Sequence, residues 1–129
     1  MNNFTFYVIW KDANQVEYKV GVLSHIDGSY YLKTCTNNSE PSSPYQNGFN
    51  GLPSFNPETI YKSDNSLFDF WKRRIIIHRD EDLYTVLKRT SASNRNDSFY
   101  LEEASSEDTE KIEDLFLSFD KEQEQENII

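Results

Sequence analysis

Tyr18-Lys19-Val20-Gly21-Val22-Leu23 and, beyond a short connection, Asp27-Gly28-Ser29-Tyr30-Tyr31-Leu32 are the residues whose reading decides the fold. Apolar runs stand on both sides of Asp27-Gly28. That dipeptide supplies the positive φ which a tight primed turn requires. The pattern predicts two antiparallel strands, Val16 to Leu23 and Tyr30 to Thr34, with Tyr18, Val20 and Val22 in register. Upstream, Thr5 to Lys11 alternates as a third strand. Phe6, Val8 and Trp10 would face one side, with Tyr7 and Ile9 opposite. Asp12-Ala13-Asn14-Gln15 reads as the turn that joins it to the hairpin, so the first third of the chain is an antiparallel meander.

Residues 36–57 have no sustained period and are rich in Asn, Ser, Pro and Gly, which predicts a long loop. Phe49, Leu52 and Phe55 are too apolar for a solvated linker and are expected to pin that loop to the sheet. Next comes Ser63-Asp64-Asn65-Ser66 followed by Leu67-Phe68-Asp69-Phe70-Trp71-Lys72-Arg73-Arg74-Ile75. Leu67, Phe68, Trp71 and Ile75 fall at helical spacing, with Ser63, Asn65 or Ser66 able to cap a helix from Leu67 to Ile75. A second helix is predicted over Glu81 to Arg89, with Leu83, Val86 and Leu87 inward and Asp80 as its cap. Ser98 to Glu102 alternates and predicts a fourth strand. A third helix starts at Ser105, with Asp108 in the place of a capping-box acid. Ile112, Leu115, Phe116 and Phe119 form its apolar stripe, and beyond Lys121 the Glu-Gln repeats have little to bury, so fraying is expected. The expected fold class is α+β: a small antiparallel sheet, a meander able to curl toward a barrel, with two or three helices packed on one side. The expected organisation is a body over residues 1–104 and an acidic amphipathic C-terminal helix with a frayed tail over 105–129.

A chain of 129 residues predicts one domain. The net charge is −9 and it is uneven. Residues 1–103 hold 11 Lys+Arg against 13 Asp+Glu, or −2, and residues 104–129 hold 2 against 9, or −7. Such a balance repels phosphate backbones and disfavours direct nucleic-acid binding. The acidic tail suits a solvated surface or contact with a basic protein. Cys35 is the sole cysteine, and no basic-apolar leader opens the sequence. The longest apolar run, Ile75-Ile76-Ile77, is far below the ~18 residues of a membrane span. A cytoplasmic protein without membrane contact is the expectation.

His78-Arg79-Asp80 spells the catalytic tripeptide of protein kinases, but no Gly-rich phosphate loop accompanies it among only 4 glycines. Two histidines and one thiol, without a paired-ligand spacing, predict no metal site and no cofactor. His25, beside a hairpin, is expected at the surface, and Cys35, at a strand end, buried or half-buried. Tyr7, Tyr18, Tyr30 and Tyr31 cluster on the meander, as rings do on RNA-binding sheets, yet Lys11, Lys19 and Lys33 are offset by Glu17 and the overall sign. The reading is therefore not an enzyme and not a small-molecule binder, but a protein-binding module. Trp71, Arg73, Arg74 and Phe68 are the candidate anchors, because Trp and Arg are enriched at interface hot spots, with Phe49 and Leu52 framing them. The competing reading of Trp71 is ordinary core.

Several of these motifs resemble a known family. Tyr18-Lys19-Val20-Gly21-Val22-Leu23 with Gly28-Ser29-Tyr30-Tyr31-Leu32 resembles the opening hairpin of the N-terminal subdomain of HipA-type toxin kinases. Gly48-Phe49 to Phe55, Tyr61-Lys62-Ser63 and Leu67 to Ile75 are similar to that subdomain's aromatic segment ending in Arg-Ile-Pro. A related module precedes HIRAN domains. Ile76 stands where the family pattern has Pro, and the acidic helix from Ser105 belongs to neither pattern. The resemblance, over about residues 5–103, implies a stand-alone HipS-like antitoxin. It would bind and restrain a HipT-type serine/threonine kinase, with a HipB-like DNA-binding protein as a further partner. The alternative is an acidic decoy or inhibitor that imitates nucleic acid or blocks a host protein.

Overall fold

The computed structural model describes residues 3–35, 39–77, 80–93 and 98–126, with side chains to residue 123. The elements are β1 (Phe4–Lys11), β2 (Glu17–Ile26), β3 (Ser29–Thr34), β4 (Tyr61–Asp64), α1 (Asp69–Lys72), α2 (Leu83–Thr90), β5 (Phe99–Glu103) and α3 (Ser106–Glu126), with one 3-10 turn at Pro44–Asn47. The strands form a single antiparallel sheet in the order β4-β3-β2-β1-β5. The fold is thus α+β, and the sheet is open rather than closed into a barrel. No helix among the described residues is long and apolar enough to cross a membrane.

The meander follows from local chemistry. Asp27 (φ 50°) and Gly28 (φ 89°) turn β2 into β3 in the left-handed conformation that the primed hairpin demands. Asp12 closes the β1–β2 turn by accepting from the N–H groups of Asn14 (2.8 Å) and Val16 (3.0 Å) and from the Tyr18 hydroxyl (3.0 Å). These bonds favour the ionised acid and hold the Asp12 carboxyl below its ordinary value, the Val16 N–H contributing most. The simple register expected for β2 is broken by a bulge. Val8 faces Gly21 but Ile9 faces Lys19, so Val20 is the extra residue and turns into the core opposite Val22. Gly21 fits because a Cβ there would lie 2.9 Å from the Lys33 carbonyl oxygen.

Alternation gives the sheet two apolar faces. On the first, Phe4, Phe6, Val8, Leu23 and Leu32 meet the long loop, α1 and α2 through Phe49, Leu52, Trp71 and Leu87. On the second, Ile26 and Tyr31 meet Phe116 of α3, with Val22, Ile60 and Ile112 at the margin. Two helices therefore pack on one side, and the C-terminal helix crosses the other. Its stripe differs from the one expected: Phe116 is fully buried, whereas Leu115 is 42% exposed. Ser105 caps α3, its hydroxyl accepting from the Asp108 N–H (3.2 Å). The Asp108 carboxylate itself accepts from the Tyr7 hydroxyl on β1. Asp120 accepts from the Tyr31 hydroxyl on β3 and from Lys62 Nζ on β4 (3.2 Å). His25 is not at the surface as expected. It is 1% exposed and stacked between Tyr30 (4.5 Å) and Phe4 (5.2 Å).

The hydrogen bond to Asp108, with burial, raises the Tyr7 phenol to about 12, and burial, with the bond to Asp120, raises Tyr31 to about 12. The bond from Tyr7 correspondingly lowers Asp108. The protonated phenols therefore stabilise the fold below their ordinary value of 10.0, and that contribution is lost as pH rises toward 12. The Asp108 contribution is present above its ordinary 3.8 and lost as pH falls through the depressed value. Ultraviolet difference titration of the native chain should show Tyr7 and Tyr31 ionising well after the more exposed phenols. Replacing both by Phe should shrink that late component to the part due to Tyr100, whose phenol is also raised by burial and a hydrogen bond to Glu17. A single tyrosine transition near the ordinary value, with the fold intact, contradicts the docking of α3 described here.

Candidate partner-binding surface

The segment after β4 leaves the sheet through Asn65, which adopts φ 67° and donates its N–H to the Gly28 carbonyl (3.1 Å). Leu67 enters the core at 5% exposure. Phe68 is extended (φ −59°, ψ 141°) and opens α1 without a side-chain cap. The helix expected from Leu67 to Ile75 is in fact a single turn, Asp69–Lys72. Its spacing is helical, but its side chains have separate destinations. Trp71 points into the core, and Arg74 bends back to main-chain carbonyls that a continuing helix would move it away from.

The six residues expected at a partner interface are placed as follows. Trp71 is fully buried, edge-on to Phe70 at 4.6 Å. Phe49 (3% exposed) and Leu52 (2%) are core residues, with Phe49 packed on Trp10 (5.4 Å) and Tyr45 (4.9 Å). Phe68 is half-buried, edge-on to Phe55 at 5.7 Å. Arg74 is half-buried. Its Nε donates to the Ala92 carbonyl (2.8 Å), Nη2 donates to the Phe99 carbonyl (2.9 Å), and the guanidinium lies 4.9 Å from the Phe70 ring. Arg73 is exposed. Trp71, Phe49 and Leu52 therefore present no surface to a partner on this fold. Arg74 joins the α1 segment to the α2–β5 connection instead of projecting outward.

What projects outward is the neighbouring stretch. Ile76 is 75% exposed and Ile77 is 55% exposed, next to the exposed cations Lys72 and Arg73. These two isoleucines were not among the expected anchors. The signal was present in Ile75-Ile76-Ile77, since three consecutive aliphatic residues cannot all face one core. His78 and Arg79 lie outside the described residues. Asp80 follows at φ 71° and does not cap α2. Asp82 does, accepting from the Thr85 N–H (2.8 Å), and its carboxyl is lowered by the Thr85 hydroxyl first and by this N–H second.

Burial pushes the half-buried Cys35 thiol up, which favours the inert protonated form. A concavity of about 700 Å³ lies where β5 passes into α3, lined by residues including Phe4, Thr5, Tyr84, Glu103 and Thr109. Its carboxylate, Glu103, accepts from the Tyr84 hydroxyl and pairs with Lys88 (3.7 Å). Among the described residues, no group of three or more His, Cys, Asp or Glu side chains could hold a metal ion. No protein-family model matches the chain, and no significantly similar curated protein or solved structure is found.

Core and clamp have measurable consequences. Trp71→Ala should lower folding stability by roughly 3–5 kcal/mol, the range for deleting a buried aromatic side chain. Arg74→Ala should cost about 1–3 kcal/mol, because two main-chain carbonyls lose their charged donor. Arg73→Ala should stay within about 0.5 kcal/mol of the parent. Urea unfolding gives all three values. A Trp71→Ala chain as stable as the parent would restore the surface-anchor reading.

Proposed function

We propose that this chain is a non-catalytic protein-binding module and, in its most specific form, a HipS-like antitoxin that covers a HipT-type serine/threonine kinase. The observation that carries the reading is the outward pair Ile76 and Ile77 beside Lys72 and Arg73. Two adjacent, largely exposed aliphatic side chains with a cationic rim have the composition of an interface core with a polar border. They belong to the continuation of the stretch that resembles the HipA N-terminal subdomain. Phe68, half-buried on the same segment, can extend the contact. A partner suited to this surface offers an apolar depression bordered by carboxylates. The module works by occupying a surface of the kinase rather than by turning over a substrate.

The acidic-decoy reading needs the carboxylates of the C-terminal helix on one outward face. Asp108 and Asp120 instead bond tyrosines of the sheet, which removes two of them from such a face.

The test uses the purified chain with the HipT-type kinase of the same genome, reading kinase activity and co-elution. The parent chain should bind and inhibit. Arg73→Glu with Ile76→Asp should weaken inhibition by about tenfold or more, equivalent to about 1.4 kcal/mol, with an unchanged unfolding midpoint. A parent chain that neither binds nor inhibits the kinase defeats the antitoxin reading. A double variant that inhibits as well as the parent moves the contact away from this surface.

A further inference from the structure

The second face of the sheet carries a recognition pattern that does not depend on the surface around Ile76. Asp108, Ile112, Phe116 and Asp120 are spaced by four and form one row along α3. The row spans about 18 Å at 1.5 Å per residue, and the step from β1 to β4 is about 14 Å at 4.8 Å per strand. An obliquely placed helix therefore lays the whole row across four strands. At one end Asp108 accepts from the Tyr7 hydroxyl, and Lys19 Nζ stands 4.1 Å from the centre of the Tyr7 ring. At the other end Asp120 accepts from the Tyr31 hydroxyl and from Lys62 Nζ, which lies 5.5 Å from the Tyr31 ring centre. Between them Ile112 and Phe116 cover Ile26 and Tyr31, with the Phe116 and Tyr31 rings stacked at 5.1 Å.

Each end of the sheet face is thus a tyrosine–lysine pair built to receive one carboxylate, and the middle is an apolar strip for two side chains. This complementarity is between side chains and does not need α3 to be covalently attached. Only Ala104 and Ser105 join α3 to β5, and Phe116 is the sole fully buried α3 residue among those described. Glu102 also lies on this face, opposite Tyr7. The face therefore favours a ligand with two placed carboxylates over a polyanion such as RNA.

We propose that the second sheet face is a receptor for amphipathic helices bearing an Asp, aliphatic, Phe, Asp row at four-residue spacing, that α3 occupies it in cis, and that a helix with this row on a partner protein displaces α3. The tethered α3 acts at an effective concentration of roughly millimolar, so the parent chain is a latent receptor that opens only to a strong competitor.

The probe is a fluorescently labelled peptide of residues 105–123, added to the full-length chain and followed by anisotropy. Asp108→Asn with Asp120→Asn in the chain weakens the cis helix and leaves the receptor intact. This variant should bind the peptide about tenfold or more tighter than the parent chain. Adding Tyr7→Phe and Tyr31→Phe to it should abolish the gain, and a peptide with Phe116→Asp should not bind. If the Asn variant keeps its near-ultraviolet circular dichroism yet binds no tighter than the parent, or binds a scrambled peptide equally, the proposal fails. A second measurement covers the case of a variant that does not fold. A protease site placed between Ala104 and Ser105 allows the folded chain to be cut. The released α3 should remain bound and exchange with the labelled peptide. A cut chain that cannot exchange its helix also overturns the proposal.

Discussion

An open sheet with apolar side chains on both faces must be covered twice, and this constraint shapes everything else in the chain. Alternation along β1 to β3 sends Phe6, Val8, Leu23 and Leu32 one way and Tyr31, Val22 and Ile26 the other. A barrel would hide one set inside itself, but five strands left open cannot. The chain meets the demand unevenly. The first face receives a loop and two short helices, none able to stand without the sheet, since helices this short are marginal in isolation. The second receives one long helix. Beneath that helix the buried hydroxyls of Thr5 and Ser24 bond each other (2.7 Å), so the polar groups enclosed there are paired.

Arg74 ties the first layer to the edge of the sheet. The outward edge of β5 would otherwise expose main-chain groups to solvent or to another strand. Arg74 covers the Phe99 carbonyl there, and the Leu101 N–H donates to the Ser91 carbonyl (2.7 Å) at the end of α2. The same guanidinium reaches the Ala92 carbonyl and the Phe70 ring. One cation thus joins α1, the end of α2 and β5 while covering part of a sheet edge. A guanidinium suits this because its fork offers several donors in fixed directions, where an ammonium offers a point charge.

The legible part of the fold was the part governed by local pattern. Phe6, Val8 and Trp10 alternate with Tyr7 and Ile9 as predicted, Asp27-Gly28 makes the hairpin, and α2, β5 and α3 begin within about two residues of their expected starts. The losses have distinct causes. β4 is four residues of mixed polarity, Tyr61-Lys62-Ser63-Asp64, and becomes a strand only because β3 has an open side to pair with. The bulge at Val20 depends on the close approach of the Lys33 carbonyl to Gly21, a contact between strands. Asp80 and Asp82 are equivalent as caps on paper, and the left-handed backbone at Asp80 decides between them. The candidate site fared worse for a general reason. Trp, Phe and Arg are the residues of both hot spots and cores, so composition alone could not separate Trp71 and Phe49 from an exposed anchor.

The uneven charge takes on a more specific meaning once α3 is in place. Residues 104–129 carry −7, which as a pattern reads as a solvating tail. Yet Asp108 and Asp120 turn toward the sheet, where tyrosine hydroxyls and Lys62 receive them, while Glu110 and Asp114 face outward. The helix therefore divides its acids between docking and solvation. This division separates the two surfaces of the molecule. The apolar, cationic stretch at Lys72 to Ile77 follows α1 on the first face, and the helix-bearing face lies on the opposite side of the same sheet. The two proposed contacts would therefore not occlude each other. Any coupling between them would have to pass through the strand that serves both, β3, where Tyr30 packs in the first core and Tyr31, the next residue, holds Asp120 and Phe116 in the second.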